Sequence, residues 1–276
     1  MSNKIFAYSK RVALKLTSTL SVKLINHIIL NCNKILGRGL IFSHESEVRM
    51  INNSLKSLKY CDYVFIDIGA NVGKYTQELR KRFVKSKIIA FEPSEATFQA
   101  LQLNLNKIEG VECVNLALSD HSGHDLLYSN EPLSGLASLT QRDLGRFGID
   151  FDSSELVSVD TLDNFLDSFK YNGPFILKID VEGQELKVLK GCKKTLARTA
   201  LIQFEFGGTN LDSRVFYKDL YEFFALTNFH LYRLKPNGAY LLTKYSELDE
   251  LPLNSTYYAL NGEYLSKSST PRLIRF

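Results

Sequence analysis

The 276-residue sequence predicts an α/β fold, a mostly parallel seven-stranded sheet with helices on both faces, preceded by a helical N-terminal extension. Three observations carry this expectation. From Tyr60 onward, short apolar runs alternate with amphipathic stretches in the order β-α-β-α-β, which implies parallel strands. The first apolar run ends in an acid and a glycine turn. Hydrophobic residues make up 45% and charged residues 23%, the balance of a globular domain.

The elements follow in order. Residues 4–36 read as helix, with Ile5, Val12, Leu16, Leu20, Leu24 and Ile28 at roughly helical spacing. Residues 45–59 read as a second helix. Tyr63–Asp67 is the first strand, Gly69–Gly73 a turn and Lys74–Phe83 a helix. Lys87–Glu92 is the next strand, closed by Pro93, and Glu95–Lys107 the next helix. Val111–Leu118 reads as one third strand. Residues 119–153 break the rhythm and form an excursion, with a hairpin strand at Asp125–Tyr128. Then come strand Leu156–Val159, helix Thr161–Phe169, buried strand Phe175–Asp180, helix Gln184–Leu196 and strand Ala200–Phe206. Helix Arg214–Leu226 follows. His230–Leu234, Ala239–Leu242 and Tyr257–Leu260 finish the sheet, antiparallel at its edge. The chain thus divides into a basic extension (1–44), a main α/β domain (45–262) and a tail (263–276).

Charge is uneven. Residues 1–40 hold seven of the 34 basic residues and no acid, leaving 27 basic against 30 acidic residues beyond them. A basic amphipathic segment suits contact with an anionic membrane surface, or packing on the domain or a partner subunit. The slightly acidic remainder argues against nucleic acid as a partner. No apolar run is long enough to span a bilayer, no cleavage pattern marks a secretory leader, and the four cysteines lack metal-site spacing. These features fit a cytoplasmic location, at most peripheral to a membrane, with no metal expected.

The chemistry concentrates at strand ends, where open α/β sheets bind ligands. In Phe65-Ile66-Asp67-Ile68-Gly69-Ala70-Asn71-Val72-Gly73, a strand delivers Asp67 and Gly69 permits a tight turn. Neither a Gly-Lys-Ser/Thr loop nor G-x-G-x-x-G is present, so a phosphate ligand is disfavoured. An acid here suits a ligand with an ammonium group, such as the amino acid end of S-adenosyl-L-methionine. Glu92, 25 residues after Asp67, can accept from both ribose hydroxyls, with Pro93 bending the chain over the nucleoside. Ser119 and Asp120, after the third strand, can reach an adenine amino group or simply cap a turn. In Phe175–Glu185, Lys178 and Asp180 share one face, with Glu182 just beyond. Such charges on a buried strand are costly unless paired or functional.

Taken together, Phe65–Thr76, Ala90–Pro93, Asn115–Asp120, Val157–Leu162 and Leu177–Glu185 resemble the FkbM-like methyltransferases. Glu205, after Leu201–Phe204, fits as well. The resemblance spans roughly residues 45–210 and implies a Rossmann-like class I methyltransferase fold. It implies S-adenosyl-L-methionine-dependent O-methylation of a sugar, glycan or other small natural product. By position, Asp67, Gly69, Ala70, Asn71 and Gly73 would hold the methionine end. Glu92 and Pro93 would hold the ribose, and Ser119 and Asp120 the adenine side. Lys178, Asp180 and Glu182 would line the reacting centre. Methyl transfer needs alignment and removal of a hydroxyl proton. Glu182 or Asp180 is the expected base with Lys178 holding the oxygen, and His121 or His124 the alternative. Two other functions stay open: an RNA ribose 2′-O-methyltransferase, and a nucleoside-binding protein without catalysis.

Overall fold

The computed structural model describes residues 22–56, 58, 62–169, 171 and 173–265, and the backbone of 273–274. The chain before residue 22 lies outside this set, so the expected extension is described only from helix α1 (Val22–Ile35) onward. Helix α2 (His44–Leu55) starts at Ser43, whose Oγ accepts from the Ser46 N–H at 3.3 Å and caps the helix.

The main sheet is built from β1 (Val64–Ile68), β2 (Lys87–Phe91), β3 (Val111–Val114), β7 (Phe175–Ile179), β8 (Thr199–Phe206), β9 (Phe229–Lys235), β10 (Gly238–Leu241), β11 (Ser255–Asn261) and β12 (Leu273–Ile274). Their order is β12-β10-β9-β11-β8-β7-β1-β2-β3. From β3 to β8 all neighbours are parallel, while β11 is antiparallel to both β8 and β9. The α/β class and the mostly parallel sheet are as expected. The strand count is nine rather than seven: the strand expected at Ala239–Leu242 is present at the edge as β10, antiparallel to β9, and β12 extends that edge further. β12 comes from the segment expected as a tail.

A second departure concerns Val111–Leu118. The chain leaves the main sheet after Val114, and β4 (Ala117–Leu118) joins β6 (Ser153–Asp160) and β5 (Gly123–Ser129) in a separate three-stranded sheet. β6 therefore does not enter the main sheet. Its alternating burial fits this position, with Val157 and Val159 inward on a small core of their own and Leu156 and Ser158 exposed.

Helices cover both faces. α2 and α3 (Lys74–Arg82) seal one face over Phe65, Ile88, Ile176, Leu201 and Tyr258. On the other face, α5 (Leu162–Asp167), α6 (Glu185–Lys190), α7 (Lys193–Leu196) and α9 (Tyr217–Ala225) contribute to a larger core with Ile66, Leu177, Ile202 and Phe204. α4 (Glu95–Leu105) packs Leu101 and Leu105 beside Ala70 and Ala90, and α8 is the short turn Gly208–Asp212. The stretch expected as one helix over 184–196 is two, divided at Gly191, where a Cβ would meet the Ser119 carbonyl oxygen at 2.0 Å.

The end of α1 is anchored although α1 itself buries no residue. Asp249 Oδ1 accepts from Arg38 Nη2 at 2.7 Å and from Arg233 Nη1 at 2.6 Å. Arg233 Nε also donates to the Leu36 carbonyl at 2.9 Å.

Candidate active site

A cavity of about 470 Å³ opens at the carboxyl ends of β1, β2 and β7. That is the size of a small-molecule pocket in the place open α/β sheets use. Gly69, Ala70, Asn71, Glu92 and Pro93 line one part, and Leu116, Ala117, Leu118 and Leu127 form an apolar slot beside them. Lys178, Asp180, Glu182, Gln184, Tyr75 and His44 line the other part. Leu133, Ser134, Gly135, Ala137, Ser138 and Leu139, from the excursion, roof it.

The turn after β1 is shaped by close approach. At Gly69, φ is +82°, and a Cβ would lie 1.9 Å from the Asp180 carbonyl oxygen. Only glycine lets β1 and β7 discharge side by side. Asn71 takes φ +50°, which its short side chain supports by accepting from the Val72 N–H at 2.7 Å. Its backbone N–H then donates to Glu92 Oε2 at 2.9 Å, while Ser94 N–H donates to Oε1 at 3.1 Å. Glu92 is thereby fixed with lone pairs to spare. Burial pushes its pKa up to about 7, against the two backbone donors.

Four of the nine expected cofactor residues do not line the cavity. Asp67 is fully buried beneath it, accepting from Thr76 Oγ1 at 2.6 Å through Oδ2, while Oδ1 has no hydrogen-bond partner among the described residues. Burial raises its pKa, opposed by the Lys178 charge. Gly73, at φ +85°, gives close packing instead, since a Cβ would meet Leu101 Cδ1 at 2.8 Å. Ser119 is buried, with its N–H donating to the Asp160 carbonyl at 2.9 Å. Asp120 is exposed and faces His121 Nδ1 at 3.1 Å. Thus Gly69, Ala70, Asn71, Glu92 and Pro93 are brought together, and the other four are not.

Lys178, Asp180 and Glu182 all reach the cavity. Lys178 Nζ donates to Asp180 Oδ2 at 2.8 Å. Burial works against the lysine charge, but Asp180, Asp67 and Glu47 outweigh it and raise its pKa. Glu182 holds φ +54°, with Arg142 Nη1 3.7 Å from its Oε2. Burial, followed by the Asp180 charge, lifts its pKa to about 8. His121 and His124 are exposed and lie off the cavity.

Sequence reasoning missed the residues beneath and beside Lys178. Asp67, Lys178, Gln203 and Tyr258 stand in register across β1, β7, β8 and β11. α2 and α3 cover this row with polar partners. Tyr75 Oη donates to Gln203 Oε1 at 3.2 Å, and Gln203 Nε2 donates to Glu47 Oε1 at 2.7 Å. Glu47 Oε2 lies 3.2 Å from His44 Nδ1. One signal was available: Gln203 and Glu205 alternate within the apolar β8, as Lys178 and Asp180 do on and just after β7. Among the described residues, no group of three or more His, Cys, Asp or Glu is placed to hold a metal ion.

The fold and the cavity define an α/β protein whose small-molecule site sits at the carboxyl ends of its parallel strands. Residues 67–234 match the methyltransferase FkbM domain, and the chain belongs to that family. Methyltransferase 1 of Beauveria bassiana is 30% identical over 145 residues, 47% of this chain and 58% of its own. The hexuronic acid methyltransferase AglP of Haloferax volcanii is 29% identical over 136 residues, 49% and 52% of the two chains. The 2-O-methyltransferase NoeI of Sinorhizobium fredii is 25% identical over 175 residues, 60% and 72%. The chain spans less than two thirds of the length of the first two.

Proposed function

We propose that the protein transfers a methyl group from S-adenosyl-L-methionine to a hydroxyl of a sugar, within a glycan or a related small natural product. The observation that carries this is a single cavity with Glu92 and the Gly69–Asn71 turn at one part and the Lys178–Asp180 pair at another. The residues fit the cofactor. Glu92 offers carboxylate lone pairs to ribose hydroxyls, and Leu116–Leu118 an apolar slot to adenine. Lys74 and the N-terminus of α3 favour the methionine carboxylate, and Asp180 favours its ammonium. The cofactor supplies an electrophilic methyl: the acceptor oxygen bonds to it as the carbon–sulfur bond breaks, its electron pair goes to sulfur, and the hydroxyl proton is released. Lys178 holds the acceptor oxygen, and Asp180 holds Lys178. Asp67 and Gly73 support the turn from below. The name of AglP, a hexuronic acid methyltransferase, supports a sugar acceptor, and that of NoeI, a 2-O-methyltransferase, supports transfer to oxygen.

The test incubates the protein with methyl-labelled cofactor and a panel of p-nitrophenyl glycosides and glucuronides, reading labelled product by mass spectrometry. Label on a sugar oxygen is expected; label only in added RNA, with salt-sensitive RNA retardation, overturns the reading in favour of ribose methylation. Calorimetric binding of S-adenosylhomocysteine without label in any acceptor favours a binding protein.

Residues 1–40 are read as a contact for an anionic membrane surface. α1 leaves Val22, Ile28, Ile29 and Ile35 exposed within the acid-free basic segment. No helix among the described residues is long and apolar enough to cross a membrane. Sedimentation with phosphatidylserine vesicles, lost in high salt, is expected; equal sedimentation with neutral vesicles overturns it.

A further inference from the structure

We propose that His44 is the catalytic base that takes the acceptor hydroxyl proton, and that Glu47 is its positioning residue. The inference rests on the methyl-transfer reading and assigns the proton within it.

His44 is the first residue of α2 and lines the cavity with Tyr75, Lys178 and Asp180. Its ring meets the ring of Tyr75 edge-on, with centroids 5.9 Å apart. Lys178 Nζ lies over the same Tyr75 ring at 4.8 Å. One aromatic ring therefore spaces the imidazole from the Lys178–Asp180 pair. His44 Nδ1 lies 3.2 Å from Glu47 Oε2, and a carboxylate can only accept. Nδ1 then carries the hydrogen, leaving the Nε2 lone pair for a ligand.

Glu47 is well placed to impose that tautomer. It is buried, and its other oxygen is held by Gln203 Nε2, which is held in turn through Tyr75 Oη. A carboxylate so fixed orients the imidazole and stabilises the imidazolium that forms. The proton received at Nε2 passes to water, because the His44 side chain remains 46% exposed.

The carboxylates of the site are less suited. Asp180 is engaged by Lys178. Glu182 is half-buried beside Asp180, and desolvation followed by that charge favours its protonated form at neutrality. The charged and titratable groups near His44 are Glu47 on its own helix, Tyr75 on α3, and Asp67 on β1, which couples to it electrostatically. Lys178 and Asp180, on and just after β7, and Lys74 share the cavity.

The first test needs no acceptor. Imidazole 15N spectra are recorded with S-adenosylhomocysteine and with sinefungin, which carries an ammonium where the cofactor carries its methyl. The His44 resonances are expected to differ between the two complexes, while those of His121 stay still. Glu47→Gln should redistribute the His44 tautomers, because an amide can donate to Nδ1 where the carboxylate can only accept. If both nucleosides bind and His44 does not respond, the proposal is overturned and the methyl-transfer reading stands. If neither binds, both fall.

The second test uses a glycoside that the wild type methylates. His44→Gln should lower kcat by about 100-fold, leave the KM for the cofactor unchanged and erase the acid limb of the pH–rate profile. An unchanged profile overturns the assignment.

Discussion

Lys178 Nζ sits 2.8 Å from Asp180 Oδ2 and 4.8 Å over the ring of Tyr75, so a buried ammonium meets an anion on one side and a π face on the other. Lys178→Met keeps the chain length and removes the charge, leaving Asp67 and Asp180 uncompensated. Asp180 is partly solvated, so the stability loss should be modest, about 1–3 kcal/mol. Methyl transfer should fall by at least about tenfold with S-adenosylhomocysteine affinity nearly unchanged. Calorimetry and turnover on the same preparation check both.

Glu92 gives a pH prediction. On the proposed reading, ribose hydroxyls bind its ionised form, so binding lowers a pKa that starts at about 7 in the free protein. Affinity for S-adenosylhomocysteine should climb as the pH rises to about 7 and be flat above it, with proton release on binding near neutrality. Titration calorimetry in buffers of different ionisation enthalpy measures the release. Glu92→Ala should weaken binding by about 2 kcal/mol and abolish the release.

Glu205 carries the opposite lesson for stability. Burial, and then the Asp180 charge, raises its pKa to about 8 in the folded chain. The folded state therefore binds this proton more tightly than the unfolded state. Its contribution to stability is lost as the pH rises from the ordinary carboxylate range toward 8. Glu205→Gln should raise Tm at pH 8 and change it little at pH 5, as differential scanning calorimetry would show.

Two structural substitutions test the scaffold. Gly69→Ala drives a Cβ into the Asp180 carbonyl and should cost more than about 2 kcal/mol, with loss of nucleoside binding. Asp249→Ala strands Arg38 and Arg233 and should cost about 3–5 kcal/mol. Chemical denaturation reads both.

Much of this was legible in the sequence because it is local. Asp67, Gly69 and Gly73 announce a strand and turn, and Lys178-x-Asp180 announces charges on one strand face. What stayed hidden depends on packing. His44 lies before the first strand and reaches the cavity only because α2 lies across the sheet. Gln203 looked like one polar residue in an apolar run until register set it beside Lys178. Asp67 reads as a ligand-facing acid, yet Thr76, one turn into α3, closes over it. Val111–Leu118 reads as one strand because nothing in its side chains marks the change of sheet at Leu116; that is set by where β6 can pair.

The roof of the cavity is tied down at two places. Asn71 Nδ2 donates to the Ser134 carbonyl at 3.3 Å, and Ser138 Oγ donates to the Glu182 carbonyl at 2.8 Å. The five residues from Ser134 to Ser138 are thus fastened at one end to the turn after β1 and at the other to the turn after β7, so a shift of either turn pulls on the same short length of backbone.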